Sequence, residues 1–150
     1  MSQPQISEEE IVRQLAAEIR ILEGSVGALQ SRLDVVRGAI GEVTLAHDTL
    51  EGLKTLSDGD SVLVPVGAGS YVKMSIADSK KLIMGVGAGA AIEKDVGSSV
   101  EELKGRLQEL DEARTSIQQQ LDQTLNRYQQ DREALEELLR RRESAAQKTN

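Results

Sequence analysis

The chain has 150 residues and contains no Phe, Trp or Cys and only two Tyr, so it lacks most of the large side chains that fill globular cores. Its 25 acidic and 18 basic residues give a net charge of -7, which disfavours nucleic acid and anionic membranes as partners. The absence of cysteine excludes a disulfide framework and a thiolate zinc site. The abundance of Leu, Ala, Glu, Gln and Arg is typical of coiled coils.

The first ten residues are polar and acidic, which is not the pattern of a secretory signal. The sequence also has no run of about 20 apolar residues, the length that a membrane-spanning helix needs. We therefore expect a cytoplasmic protein with no membrane partner.

The first predicted element is a helix over about residues 7–56. From Val12 onward, apolar residues recur at spacings that alternate between three and four, the pattern of a coiled-coil seam that faces a partner helix. Eleven of the twelve seam positions are apolar, and His47 is the exception. The twelve positions are Val12, Leu15, Ile19, Leu22, Val26, Leu29, Leu33, Val36, Ile40, Val43, His47 and Leu50.

Local signatures mark both ends of this helix. Ser7 and Glu10 have the spacing of a capping box, and Ile6 and Ile11 are placed to form a hydrophobic staple around it. The pattern ends before Gly59, which can adopt the left-handed conformation that stops a helix.

Residues 61–95 contain four short runs of strand-forming residues, which predict two β-hairpins. The motif Val-Gly-Ala-Gly-x-x-Val at 66–72 recurs twenty residues later with Ile in its last position, and each Gly-Ala-Gly supplies a tight turn. Two small hairpins cannot be stable alone, so we expect them to assemble with hairpins of other subunits. The residues expected at that interface are Val62, Val64, Val66, Val72, Met74, Ile76, Leu82, Met84, Val86 and Ile92.

A second helix is predicted over about residues 99–145, because Ser99 and Glu102 repeat the S-x-x-E signature of a helix start. Nine of its thirteen seam positions are apolar. Arg114, Thr124 and Asp131 weaken the seam and can also fix the register against the first helix. The two helices have nearly equal lengths, so a chain reversal between them lets them pair antiparallel within one molecule.

This order of helix, two Gly-Ala-Gly hairpins and helix resembles the alpha class of the prefoldin family. The specific match lies in residues 63–73 (LVPVGAGSYVK) and 84–95 (MGVGAGAAIEKD). The resemblance implies a mostly α fold with a small β part, in which a long antiparallel two-helix coiled coil is joined by two β-hairpins that assemble into an oligomeric β-barrel body. The lack of cysteine favours an archaeal over a eukaryotic member.

The resemblance also implies an ATP-independent chaperone without enzymatic activity or cofactors. Two alpha and four beta subunits would form a hexamer that captures unfolded proteins at the coiled-coil tips and transfers them to a group II chaperonin. Both chain termini would lie at the tips, where Ile11 and Leu139 stand beside seam positions and are the better candidates for client contact. The residues expected to bind clients are Ile6, Ile11, Val12, Leu15, Leu135, Leu138 and Leu139.

Two sequence features, and the function as a whole, have a second interpretation. The run Gly85-x-Gly87-x-x-Ala90 superficially matches a dinucleotide fingerprint, but no helix opens after it, so turn chemistry explains it better. His47, the only histidine, is interpreted as a tolerated polar seam residue instead of a catalytic or metal-binding group. The alternative function is a scaffold or adaptor that oligomerises through its hairpins without binding unfolded chains.

Overall fold

The computed structural model describes residues 7–148. Its elements in chain order are α1 (Glu8–Leu53), β1 (Ser61–Gly67), β2 (Ser70–Ser75), β3 (Lys81–Gly87), β4 (Ala90–Asp95) and α2 (Val96–Lys148). The strands form two separate antiparallel sheets, β1 with β2 and β3 with β4. The predicted fold class, two long helices joined by two β-hairpins, is therefore confirmed, whereas the β-barrel is a property of an assembly and stays a prediction.

The chain divides into two compact units. Among the described residues, the helical unit comprises 7–36 and 113–148, and its buried cluster consists of Leu33, Ile117 and Leu121. Half-buried Val26, Leu29 and Val36 pack against this cluster.

The hairpin unit comprises residues 37–112. Its buried cluster contains Leu50 from α1 and Val96, Val100 and Leu103 from α2. Leu82 of β3 packs against the same cluster, so this unit joins helix and strand side chains in one core.

The seam pattern predicted from the sequence is confirmed on both helices. All twelve predicted positions on α1 are buried or half-buried. On α2, only Arg114 and Arg142 among the thirteen seam positions are exposed. A period of 3.5 residues was therefore sufficient to identify the stripe that each helix buries.

The capping box at the start of α1 is also confirmed. The backbone N–H of Glu10 donates to Ser7 Oγ at 3.3 Å, and the backbone N–H of Ser7 donates to the Glu10 carboxylate at 3.2 Å. These two bonds satisfy amides that a helix N-terminus leaves without partners. Ile6 lies outside the described residues, so the hydrophobic staple stays a prediction.

The predicted start of α2 near Ser99 is wrong, because the helix begins at Val96. Asp95 caps it: its Oδ2 accepts from the backbone N–H of Ser98 at 3.2 Å, and its carbonyl accepts from Ser98 Oγ at 3.1 Å. The predicted capping box of Ser99 and Glu102 does not form. Ser99 is fully buried, and its hydroxyl has no hydrogen-bond partner within the described part of the chain. Glu102 pairs with Lys94 at the end of β4. Strand β4 thus runs directly into the helix, and α2 continues to Lys148, beyond the predicted end near residue 145.

The internal repeat folds into two copies of the same turn. Gly67, Ala68 and Gly69 have φ values of 105°, 49° and 71°, and the three equivalent residues twenty positions later have 101°, 49° and 74°. Each sheet also has a register shift just before its turn, between Pro65 and Gly67 in the first hairpin and at the equivalent place in the second. Positive φ at both glycine positions explains why glycine is needed there.

Candidate functional site

Each hairpin has two faces, because cross-strand partners share a face and neighbouring residues alternate. The even face carries the pairs Val62 with Met74 and Val64 with Val72 in the first hairpin. In the second hairpin it carries Leu82 with Lys94 and Met84 with Ile92. The odd face carries Leu63 with Lys73 and Pro65 with Tyr71, and in the second hairpin Ile83 with Glu93 and Gly85 with Ala91.

Most of the residues predicted for assembly lie together on the even faces. Val62, Val64, Leu82 and Met84 are half-buried within the chain. Their partners from β2 and β4 stay exposed, namely Val72, Met74 and Ile92. The exposed apolar side chains of β2 and β4 thus lie beside the half-buried ones of β1 and β3. Together they form an apolar face that another protein surface can cover.

The other three predicted assembly residues lie elsewhere. Val66 and Val86 are exposed next to the turns, at the register shifts. Ile76 follows β2 and is half-buried, and its backbone bonds to Gly59 and Asp60 at 2.8 and 2.9 Å extend the base of the first hairpin. These bonds give Ile76 a structural role, and its part in assembly stays a prediction.

The odd faces expose large apolar side chains that the sequence reasoning missed. Leu63 is 66% exposed, Tyr71 62% and Ile83 70%. The signal was present in β1, which is apolar from Val62 through Val66 without alternation. Such a run is typical of a strand that is covered on both faces.

The N-terminal end of α1 and the C-terminal end of α2, together called the helix ends below, carry the residues predicted to bind clients. Val12 and Leu15 on α1 and Leu135 and Leu138 on α2 are half-buried in the seam. Ile11 is also half-buried, and Leu139 is 42% exposed. The contact of the Arg142 guanidinium with the Glu9 carboxylate at 3.4 Å brings the two helix ends together. Ile6 lies outside the described residues, and client binding at this cluster stays a prediction.

A polar cluster joins the two helices of the helical unit. The Arg127 guanidinium contacts Glu18 on α1 at 2.8 Å and Asp131 on α2 at 3.1 Å. The negative charges of Asp131 and Glu18 raise the pKa of Arg127 above its ordinary value. The Tyr128 hydroxyl also lies 3.1 Å from the Glu23 carboxylate. Through Arg127, the polar seam residue Asp131 is linked to the opposite helix, as expected of a residue that fixes register.

Asp131 itself is only 6% exposed, although it occupies a seam position. Its Oδ1 pairs with Arg127, whereas Oδ2 is buried and has no partner among residues 7–148. A buried carboxylate oxygen without a partner costs stability. The helical unit therefore contains one polar seam position that reduces its stability.

His47 occupies the seam, and its Nδ1 lies 3.1 Å from the carboxylate of Asp48. The His47 side chain is 22% exposed. Over residues 7–148, no group of three or more His, Cys, Asp or Glu side chains is arranged to hold a metal ion. Within the same range, no helix is both long and apolar enough to cross a membrane.

The paired helices and the two hairpins with exposed apolar faces define a coiled-coil protein with a β-hairpin module. The family model described as "Prefoldin subunit" matches residues 22–141. Prefoldin subunit alpha of Methanopyrus kandleri is 34% identical over 110 residues, which cover 73% of this chain and 70% of that protein. Prefoldin subunit alpha of Methanosarcina barkeri is 33% identical over 135 residues, which cover 88% and 90% of the two chains.

The chain therefore belongs to the prefoldin family and to its alpha class. Prefoldin is a chaperone-type, non-enzyme family. Among solved structures, a chain in the cryo-EM structure of filamentous PFD from Methanocaldococcus jannaschii is 26% identical, with a TM-score of 0.48, and the match covers 81% of this chain and 94% of that one.

Proposed function

We propose that this chain is the alpha subunit of an ATP-independent holdase, which captures unfolded proteins at the ends of its coiled coil and transfers them to a group II chaperonin. The observation that carries the proposal is the apolar cluster at the helix ends, where exposed Leu139 stands beside half-buried Leu135 and Leu138. An unfolded protein presents apolar side chains without a fixed shape, so a small apolar surface can bind many different clients.

The helix ends can also expose more apolar surface than the folded chain shows. The ion pair that joins them, Glu9 with Arg142, is solvent-exposed, and such pairs contribute little stability. Helix ends fray readily, and fraying here uncovers Val12, Leu15, Leu135 and Leu138. Each contact with a client is weak, so retention requires several subunits to bind one client together.

The hairpins supply the assembly that such multivalent binding requires. In our proposal the even faces pack with hairpins of beta-class subunits into a β-barrel body, and two alpha and four beta subunits form a hexamer. The exposed Val72, Met74 and Ile92 support this role, because short apolar strands that are left uncovered invite pairing or aggregation. The assembly acts in the cytoplasm.

The test is a refolding assay in which a denatured model protein is diluted into the assembled complex without ATP, and aggregation is followed by light scattering. The Ile11→Ser and Leu139→Ser double variant should suppress aggregation less than the unchanged complex. Leu45→Ser is the matched control, because Leu45 is also an exposed helix residue but belongs to the hairpin unit. Release of the captured protein on addition of a group II chaperonin tests the transfer step.

The second candidate function is a scaffold that does not bind unfolded chains. One observation favours it: Val12, Leu15, Leu135 and Leu138 are all half-buried, so closing the seam accounts for them without a client. A correctly assembled complex that suppresses no aggregation would establish the scaffold and refute the holdase.

A further inference from the structure

The face of α1 that points away from the seam carries a second apolar pattern in the helical unit. Its positions recur at spacings of four and three residues, as in a coiled-coil seam, and all of them are exposed. Ile21 is 70% exposed and Val35 73%, so the described part of the chain does not cover them. We call these six positions the outer stripe: Ala17, Ile21, Gly24, Ala28, Ser31 and Val35.

The equivalent face of α2 in the same unit is polar. It is an ordinary solvated helix face, whereas the outer stripe of α1 offers an apolar surface to a further helix. Polar side chains occupy all six equivalent positions: Ser116, Gln119, Gln123, Asn126, Gln130 and Glu133.

Two glycines leave this face of α1 open to close approach. A Cβ atom added at Gly24 or Gly27 would meet no neighbouring group within 4 Å. Glycine destabilises the interior of a helix, and no packing within the chain accounts for it at these two positions. Because glycine has no side chain, the backbone of a second helix can come close here.

The large and small residues of the outer stripe are placed so that the stripe complements itself. When two copies of α1 lie antiparallel with their overlap centred on position 26, each large residue faces a small one. Such an arrangement fills an interface without leaving voids. The layers join Ala17 with Val35, Ile21 with Ser31 and Gly24 with Ala28 of the other copy.

The charges beside the outer stripe complement each other in the same register. Arg20 then lies opposite Asp34 of the other copy along one edge, and Glu18 lies opposite Arg32 along the other edge. The two-fold symmetry of the pair forms each of these contacts twice. Glu18 also contacts Arg127 of its own chain at 2.8 Å, but its side chain is 43% exposed and therefore accessible to a second guanidinium.

We propose that the outer stripe of α1 packs antiparallel against the outer stripe of a second copy of this chain. The complementarity of both size and charge assigns a second copy as the partner instead of a different protein. A parallel pair would stack Ile21 on Ile21 and Gly24 on Gly24, and it would place Arg20 opposite Ser25 instead of an acidic residue. The contact goes beyond the proposed function and does not involve the hairpins.

The contact is small. It extends over about 28 Å of each helix, and most of its side chains are small, so it is weak and transient. It is populated at high protein concentration, and a dilute assembly with beta-class subunits keeps its mass without it. The test therefore has to trap the contact covalently.

The test is disulfide formation between two single-cysteine variants of the full-length chain, which has no cysteine of its own. Ala17→Cys and Val35→Cys are mixed in equal amounts at high concentration under oxidising conditions. Position 17 of one copy faces position 35 of the other, so the mixture should give a covalent dimer that contains one copy of each variant. Each variant alone should crosslink roughly tenfold more slowly or less, since its two cysteines lie about 27 Å apart in the antiparallel pair.

Three further variants control the experiment. Asn126→Cys, at an exposed position on the polar face of α2, replaces Val35→Cys in a control mixture that should crosslink no faster than the single variants. Ile21→Asp, added to both cysteine variants, should slow crosslinking about tenfold or more, because it places a carboxylate where an apolar residue packs. Leu45→Asp, at an equally exposed position of α1 outside the outer stripe, should leave the rate unchanged. Circular dichroism of each variant tests whether the fold is kept.

The proposal is overturned by a mixture that crosslinks no faster than the single variants, or by a covalent dimer whose formation is insensitive to Ile21→Asp. Single variants that crosslink as fast as the mixture would also overturn it, because they would indicate a parallel pair. Suppression of aggregation by the assembled complex is measured separately, so none of these results decides the proposed function.

Discussion

The helical unit and the hairpin unit bury their apolar residues differently. On the helices, the seam residues are covered by the other helix of the same chain, and Leu33, Ile117 and Leu121 form a closed cluster. On the hairpins, Leu63, Tyr71 and Ile83 remain 62–70% exposed. The helices thus cover their apolar residues within one chain, whereas the uncovered hairpin faces support our proposal that the hairpins pack against other subunits.

The largest expected effect is the loss of assembly on replacing Val64 and Val72 by Asp. These residues are cross-strand partners on the even face, so two carboxylates would lie together on a surface that packing must desolvate. We expect the complex with beta-class subunits to dissociate while the helix content is retained. Light scattering measures the mass, and far-UV circular dichroism measures the helix content.

Val35→Asp is the control for this change, because Val35 is 73% exposed on α1 in the helical unit. It should leave the mass of the complex unchanged. A V64D/V72D variant that assembles normally would show that the even face is not the assembly surface.

A large cavity in the helical unit should instead lower the stability of the chain and leave its assembly intact. Leu121→Ala removes a side chain that is 6% exposed in the buried cluster, which should lower the free energy of unfolding by about 3 kcal/mol. Because the hairpins pack in the other unit, assembly at low temperature should persist. Chemical denaturation and light scattering of the same sample test both statements, and loss of assembly without loss of stability would contradict them.

Asp131 offers a smaller change that should stabilise the helical unit. Asp131→Leu replaces a buried carboxylate that has one unpartnered oxygen with an apolar seam residue, so the free energy of unfolding should rise by about 1 kcal/mol. Arg127→Leu is the matched comparison and should destabilise, because it removes the one partner of the buried Asp131 side chain. If Asp131→Leu lowered stability instead, Asp131 would have to be a net stabilising contact.

The regular parts of this fold were predictable from the sequence, because a repeating pattern specifies them. The spacing of three and four residues identified the seam on both helices, and the recurrence of Gly-Ala-Gly identified two equivalent turns with positive φ. The first pattern follows from the period of the helix and the second from the positive φ of the turns, and tertiary context overrode neither.

The parts that were missed depend on competition between local signals. Ser99 and Glu102 form a valid helix-start signature, but Asp95 lies earlier and directly follows β4, so it caps the helix and leaves Ser99 buried. The odd faces were missed because the assembly prediction was made from one face of each strand. The role of Leu139 and its neighbours could not be settled by pattern, since the same apolar residues are suited both to seam closure and to the client contact that we propose.

The smallest expected effect is a pH dependence of the hairpin unit that arises from Asp58. The backbone N–H of Ser79 donates to Asp58 Oδ1 at 2.7 Å and thereby ties the segment before β1 to the segment before β3. This hydrogen bond lowers the pKa of Asp58 below its ordinary value. A folded-state pKa below the unfolded one gives stability that is present above the unfolded pKa of about 4 and is lost as the pH falls through the folded value.

Asp58→Asn removes the charge, so this variant should be less stable than the unchanged chain at pH 7. The difference should shrink at an acidic pH below the lowered pKa of Asp58, because the carboxyl of the unchanged chain is itself protonated there. Glu101→Gln, an exposed residue on α2 of the same unit, is the control. Chemical denaturation at both pH values measures the difference, and a difference that stays constant or grows on acidification would show that the charge of Asp58 does not stabilise the base of the hairpins. Since the bond joins the two hairpins at their bases, its loss should also increase hydrogen exchange at Ser79 while leaving the seam of α1 protected.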